Sequence, residues 1–307
     1  MIRRALAWVR AARLPAQSNI AVPLLCGQAL AYQAGFGFEA KSAVLVFTFG
    51  LFDQLAIVFS NDAADEETDR KNQTFTPFSG GSRVLVEGAL SRSSLLRASF
   101  VCSFLALVSL SLLASMGRSW LLPFVGAFGL FLLWAYSFPP LRLSYRGGGE
   151  VLQVLGTGVV LPLIGFLGQG GAPAAFSLAW FALLVPIRLS CAIATALPDE
   201  PSDRASEKRT FVVLTSSTAA SVAMFLLALV SFAAAMFVPG AAHLLLGLRA
   251  SDLLPAFAFS VLALLFVRSK PGSRGMLVRA GGAVTATLLF ELAISHRAFA
   301  VPLHGGG

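Results

Sequence analysis

Charge is scarce in this chain. Asp, Glu, Lys and Arg together make up 12% of the 307 residues, while 56% are hydrophobic, against roughly 25% charged in an ordinary soluble domain. A soluble globule of this length could not bury so much apolar side chain and keep a polar skin, so the excess must face lipid. Cysteine is nearly absent: Cys26, Cys102 and Cys191 are an odd number, and each lies in an apolar run with no zinc-type spacing, which excludes a disulfide framework and a thiolate metal site. His243, His296 and His304 are equally scattered, so any metal would have to be held by oxygen. The 28 glycines follow no Gly-X-Y period and the 15 prolines form no cluster, which excludes collagen-like and low-complexity chains.

What is abundant is long apolar sequence. Nine stretches, 17–36, 42–61, 94–116, 119–138, 150–169, 174–198, 211–238, 251–268 and 278–298, have about the 20 residues that a helix needs to cross a hydrocarbon core. The backbone must satisfy itself in lipid, and the alternation of a membrane β-barrel is missing, so these read as helices of one all-α, multi-pass domain spanning 1–307. The seventh, at 28 residues, is long enough to suggest tilt or a start in the aqueous layer. With the N-terminus in the cytoplasm, the N-terminal arm and the loops after helices two, four, six and eight hold eighteen of the 23 basic residues. The opposite side has only Lys41, Arg118, Arg249 and Arg297, which fits the positive-inside rule and puts the C-terminus outside. The net charge of +8 is then a topology signal and not the footprint of a nucleic-acid partner. Leu24-Leu25-Cys26-Gly27 lacks the small residue that a cleavage site wants, so the first span reads as uncleaved.

The 15 acidic residues are concentrated. Five fall in Asn61-Asp62-Ala63-Ala64-Asp65-Glu66-Glu67-Thr68-Asp69, at the end of the second span, and three more in Asp199-Glu200-Pro201-Ser202-Asp203, at the end of the sixth. On a helix, Asp62, Asp65 and Asp69 share an arc of about 60°, flanked by Asn61 and Glu66, and Asp199 shares a face with Asp203. Carboxylates crowded on one face repel unless cations occupy them. Mg²⁺ suits such ligands, taking one or two carboxylates together with phosphate oxygens. Arg70, Lys71 and Arg83 follow the first cluster and Arg204, Lys208 and Arg209 the second, so acids for metal and bases for phosphate together describe a diphosphate site. The simpler alternative is a pair of solvated helix ends. Asp62 and Asp199 are 137 residues apart, about four helices, which suggests an internal four-helix duplication with the site between its halves.

Asn61 to Asp69 resembles the NDxxDxxxD motif of the UbiA superfamily of intramembrane prenyltransferases. Asp199-x-x-x-Asp203 with Lys208-Arg209-Thr210 resembles that family's second Asp-rich motif and its trailing GKRT. Tyr136-Ser137-Phe138-Pro139-Pro140 is similar to its Tyr-x-x-Pro-Pro loop, and Arg13 with Pro23 and Gly27 to its first helix. The resemblance implies a nine-helix bundle around a central cavity, with Mg²⁺ bridging the Asp motifs to a polyprenyl diphosphate whose tail lies between helices. It implies metal binding by Asn61, Asp62, Asp65, Asp69, Asp199 and Asp203, with Arg83, Arg142, Lys208 and Arg209 as diphosphate partners, and an electron-rich acceptor carbon attacking the allylic group. Two positions depart from the pattern: Glu207 replaces the Gly of GKRT, and Leu197-Pro198 precede Asp199. Ser79-Gly80-Gly81-Ser82-Arg83-Val84-Leu85 and Leu143-Ser144-Tyr145-Arg146-Gly147 look most like the branch that prenylates 1,4-dihydroxy-2-naphthoate in menaquinone biosynthesis, while the tight spacing of the first motif resembles the 4-hydroxybenzoate branch as well.

Asp53 and Arg188 lie within spans, where an ionisable group must face a cavity or a partner. Arg188 is eleven residues before Asp199, on nearly the same face and about 16 Å deeper, a place from which it could meet an acidic aromatic acceptor. An Arg188 to Asp53 pair lining the acceptor pocket is the expectation, a purely structural pair the alternative. Tyr136 is a candidate substrate contact beside the Pro-Pro loop. Gly156-Thr157-Gly158 has no preceding strand, so it reads as a close helix contact and not a nucleotide loop. The leading function is thus an enzyme in the plasma or inner membrane with a cytoplasmic active site. A transporter would spread ionisable groups through the bilayer depth, and a non-catalytic diphosphate-binding relative would need no intact acidic motifs.

Overall fold

The computed structural model describes residues 2–76, 79–237 and 247–300. Among them every regular element is helical, apart from one isolated bridge between Thr76 and Ser79. An amphipathic helix α1 (Ile2–Ala11) precedes α2 (Ser18–Ala31), which continues through a π-turn to Phe36. Then come α3 (Ala40–Ala64), α4 (Glu66–Lys71), α5 (Arg92–Ser115), α6 (Leu122–Ser137) and the single turn α7 (Leu143–Arg146). The second half holds α8 (Gly149–Gly168, with a π-turn at Leu155–Val160), α9 (Ala179–Ala196), α10 (Glu200–Ala205), α11 (Phe211–Leu214), α12 (Ser217–Phe237), α13 (Ala250–Leu265) and α14 (Arg274–Ala300).

Six helical segments are long and apolar enough to cross a membrane: α3, α5, α8, α9 running on through α10, α12 and α14. Of the other three expected spans, those at 119–138 and 251–268 form the shorter apolar helices α6 and α13, and that at 17–36 forms α2 with its π-turn. The overlong seventh span divides into α11 and α12 at Thr215, which accounts for its length. Its last expected residue, Val238, lies outside the described residues, as do His243 and His304.

Lipid offers no hydrophobic drive between helices, so association rests on close packing of small residues and on polar contacts. The crossing of α2 and α8 illustrates this. A Cβ on Gly27 would fall 1.9 Å from the Pro162 carbonyl oxygen, and one on Gly165 would fall 2.2 Å from that of Leu24, so the two backbones touch. Gly158 likewise lets α8 approach Arg188 and Leu184 on α9, while Gly156, the other glycine of the GxG, faces open space, so the expected helix contact is made at Gly158 alone. Leu24, Phe49, Ile164, Leu184, Ile187 and Phe290 fill the centre, while Phe100, Phe104, Trp120 and Phe124 project outward. A Phe exposed on a bundle of this hydrophobicity faces acyl chains and costs nothing there.

Candidate active site

The helix carrying the first acidic motif breaks where the motif begins to turn. α3 ends at Ala64, Asp65 adopts φ −100° and ψ 12°, and α4 resumes at Glu66. The second motif is built alike, with a 3₁₀ turn at Leu197–Asp199 leading into α10. α4 and α10 then pack against each other, so the two acidic segments close one end of the bundle together, with Lys71 donating to the Ala205 carbonyl across the seam at 3.4 Å.

Each carboxylate has a distinct environment. Asp62, buried on α3, accepts from the Arg13 guanidinium and from the hydroxyl and amide of Ser82. Asp65 accepts from Lys208 Nζ at 2.8 Å and from the Tyr145 hydroxyl at 3.0 Å. Lys208 also lies 3.7 Å from Asp203, so one ammonium ties the first motif to the second. Burial disfavours that ammonium, but Asp65 and Asp203 outweigh it and hold Lys208 charged well above the ordinary lysine range. Asp199 accepts from the Asn72 amide at 3.1 Å. Asn61 is turned aside, its oxygen accepting from the Ser137 hydroxyl at 2.7 Å.

Asp69 differs from the rest. Among the described residues its carboxyl accepts no hydrogen bond and pairs with no cation, and burial first, then the neighbouring charge of Asp65, push it up to about 7. The loop Ser79–Ser82 runs directly over it. Gly81 has φ +72°, and a Cβ there would sit 1.9 Å from Asp69 Oδ2, so both backbone conformation and space demand glycine.

The bases gather around the same end with unequal engagement. Arg83 donates to the Asp69 carbonyl at 3.0 Å and lies 4.0 Å over the Phe75 ring. Arg142 stacks 3.7 Å over Tyr145. Arg209 is exposed and touches none of the acidic groups among the described residues. Arg13, Arg83, Arg142 and Glu207 all have left-handed φ, between 42° and 62°, the described residues' four non-glycine cases, and backbone strain of this kind collects at functional sites. For Glu207, at φ 59°, this explains why the family pattern has Gly there.

Beneath this cluster is a cavity of about 270 Å³, whose upper wall includes Arg13, Asn61 and Tyr136 and whose depth includes Asp53, Gln54 and Arg188. The Tyr136 hydroxyl accepts from Gln153 at 3.1 Å. The expected Arg188 to Asp53 pair is not formed. Arg188 instead grips Glu291 of α14 through Nε at 2.6 Å and through Nη2, because its side chain leaves α9 toward α14, while Asp53 stands on α3. Both Arg188 and Glu291 are fully buried.

Glu291 and Asn72 join the site without being singled out by the sequence, while Tyr145 and Ser82 read there only as members of family-like loops and Arg13 only as a mark of the first helix. Glu291 carried a readable signal, an acid in the middle of an apolar span. Asn72 carried none beyond its nearness to the first motif. Among the described residues no three acidic, His or Cys groups already converge as a ready metal cage, since Asp62 and Asp65 are holding Arg13 and Lys208. The donor set nevertheless suits Mg²⁺, which needs only one or two carboxylates when waters and phosphate oxygens complete its shell, and Asp69 is an uncommitted carboxyl beside Asp65.

A helical membrane bundle with two facing acidic motifs over an apolar cavity is the architecture of an intramembrane prenyltransferase. The chain belongs to the UbiA prenyltransferase family, whose profile matches residues 20–279. No curated protein is similar to it by sequence. Among solved structures it is similar to a UbiA homolog from Archaeoglobus fulgidus bound to GPP and Mg²⁺ (TM-score 0.68, 16% identity, covering 96% of this chain and 99% of that one). It is also similar to the apo UbiA homolog from Aeropyrum pernix K1 (0.65, 16%, 92% and 97%) and to a digeranylgeranylglyceryl phosphate synthase (0.63, 15%, 97% and 99%). At these identities the likeness establishes the fold.

Proposed function

We propose that the protein transfers a polyprenyl group from its diphosphate to an aromatic acceptor in quinone biosynthesis, with 1,4-dihydroxy-2-naphthoate as the acceptor and Mg²⁺ as cofactor. The observation that carries this reading is Lys208 joining Asp65 to Asp203 directly above an apolar cavity. The loop sequences around Ser79–Leu85 and Leu143–Gly147 favour naphthoate over 4-hydroxybenzoate.

In this reading Asp62, Asp65, Asp69, Asp199 and Asp203, with Asn61, would hold Mg²⁺, which when bound offsets charge on the departing diphosphate. Lys208 and Arg13 occupy carboxylates here, and with those carboxylates given over to metal they would be free to hold phosphate oxygens, as would Arg83, Arg142 and Arg209. These donors favour the diphosphate as it gains charge, the condition for rate acceleration. The allylic C–O bond breaks, a ring carbon of the acceptor forms the new C–C bond, and the ring releases a proton or carbon dioxide. The apolar cavity keeps water from the cationic allylic group, and Tyr136 stands at its upper wall to contact substrate.

The same reading takes α2, α6 and α13 as crossings too, giving nine, with the N-terminus and site cytoplasmic and the C-terminus opposite. A duplication is supported by Arg13 and Arg142, which share φ 42° and ψ 52° and each open a short helical turn ahead of α2 and α8. The test is mass spectrometry of lipids from membranes incubated with Mg²⁺, a long-chain prenyl diphosphate and a panel of aromatic acceptors, with Asp62→Ala as control. A prenylated, decarboxylated naphthoquinol that disappears in the variant supports the proposal. A prenylated benzoate moves the acceptor, and absence of any prenylated arene refutes it.

A further inference from the structure

The cavity contains a carboxyl that the chemistry above does not use. Asp53 is 7% exposed on α3 and, among the described residues, has no hydrogen bond and no ion pair, yet it lines the cavity. The adjacent Gln54, 5% exposed, lines it too and its amide is equally without a partner there. A buried carboxyl with nothing to bond costs stability, and the cost is recovered only when something in the cavity donates to it.

The cavity's cations decide what that something is. Arg188 is the only deep one among the described lining residues, and Glu291 already neutralises it through two hydrogen bonds. Arg13 is at the cytoplasmic end, on Asp62. An anionic group reaching the level of Asp53 would therefore meet a carboxyl and a closed ion pair, with no free positive charge, whereas a hydroxyl there would meet an open acceptor. Asp53 is eight residues before Asn61 on the same helix, so it is about 12 Å deeper along the axis, well below the diphosphate end. Across the cavity Gly156 has nothing within 4 Å of where its Cβ would be, which leaves room for a planar ring.

We propose that Asp53 is the acceptor-specificity residue: it accepts a hydrogen bond from a hydroxyl on the part of the aromatic acceptor remote from the prenylated carbon, and it excludes acceptors that carry a carboxylate there. This rests on the prenyl-transfer reading and narrows its acceptor to hydroxyarenes whose anion, if any, adjoins the reacting carbon.

The test compares 1,4-dihydroxynaphthalene with 1-naphthol, which keeps the activating hydroxyl and lacks the remote one, in the full-length wild type, Asp53→Leu and Asp53→Asn with Mg²⁺ and geranyl diphosphate. Intrinsic reactivity differs between the arenes but cancels when variants are compared. Asp53→Leu should lose about tenfold in kcat/KM on the diol, the worth of one hydrogen bond, and change little on 1-naphthol. Asp53→Asn, which keeps an acceptor oxygen, should fall between. KM for geranyl diphosphate should not move, and the melting temperature of Asp53→Leu should rise, as a site built for ligand and not for stability requires. The inference is overturned if Asp53→Leu affects both arenes equally, or if it melts lower and shifts the diphosphate KM, as a structural carboxyl would. If the wild type prenylates neither arene while binding geranyl diphosphate, the aromatic reading falls and this inference with it; equal effects on two good substrates overturn the inference alone.

Discussion

Arg188 and Glu291, 103 residues apart in sequence, meet in a bidentate ion pair that is sealed from solvent between α9 and α14. Such a pair gains little over a well-packed apolar one, but removing one member strands the other's charge, at a cost of about 3 to 5 kcal/mol. Glu291→Ala should therefore lower the detergent-solubilised melting temperature sharply, and Arg188→Ala should do the same. The double variant Arg188→Met with Glu291→Leu should recover most of the loss. Calorimetry or a thiol-reactive unfolding assay reads this directly. Equal losses in the single and double variants would mean that packing, not charge, matters at this contact.

Glu207 is held at φ 59°, where a side chain with a Cβ costs about 1 to 2 kcal/mol and glycine is at ease. Glu207→Gly should stabilise the protein by about 0.5 to 1 kcal/mol, after the entropy that glycine gains on unfolding is deducted. It also removes an acid next to Lys208, so the KM for prenyl diphosphate should fall. Glu207→Val, branched at Cβ, should go the other way on stability. Melting curves and initial rates on the same preparations separate the two effects.

The parts of this structure that could be read in advance are those carried by one-dimensional signals. Apolar run length located α3, α5 and α14 to within a few residues, and the position of the acidic motifs at the ends of the second and sixth spans put Asp62, Asp65, Asp199 and Asp203 at one end of the bundle. What could not be read is rotation about a helix axis. Asp53 and Arg188 were each known to need a polar surrounding, but which neighbour each faces is set by packing of small residues such as Gly27, Gly158 and Gly165, and that decided for Glu291. Arg13 reaching Asp62 across 49 positions is the same kind of fact. The left-handed turn at Glu207 was hidden for another reason: a glutamate stands where glycine would have announced it.

Asp69, pushed up to about 7 by burial and the charge of its neighbours, gives the site a definite pH dependence. In the metal-free protein this group binds its proton more tightly when folded than when unfolded, so its own contribution to stability is fully present below about pH 4 and is lost between about pH 4 and 7. A cation on the site competes with the same proton. Added Mg²⁺ should thus raise the melting temperature more at pH 8 than at pH 6, and the apparent Mg²⁺ affinity should weaken as pH falls through 7. Asp69→Asn should lessen the pH dependence of both profiles, leaving the part carried by the neighbouring carboxyls of Asp199 and Asp203. A Mg²⁺-induced shift independent of pH over this range would remove Asp69 from the metal site.

Tyr145 offers a test of how the cluster is held in place. Its hydroxyl donates to Asp65 at 3.0 Å and shares a hydrogen bond with Thr68 at 2.8 Å, while its ring supports Arg142 at 3.7 Å and Lys208 at 5.0 Å. Two different losses can therefore be made at one position. Tyr145→Phe keeps the ring and frees Asp65, and should lower kcat/KM by about tenfold, the worth of one hydrogen bond to a charged group, with the KM for prenyl diphosphate nearly unchanged. Tyr145→Leu removes the cation–π support as well, worth about 0.5 to 2 kcal/mol per cation, so Arg142 and Lys208 lose their fixed position and that KM should rise severalfold. If the two variants behave alike, the ring has no part in positioning the bases, and Arg142 must be placed by its left-handed backbone alone.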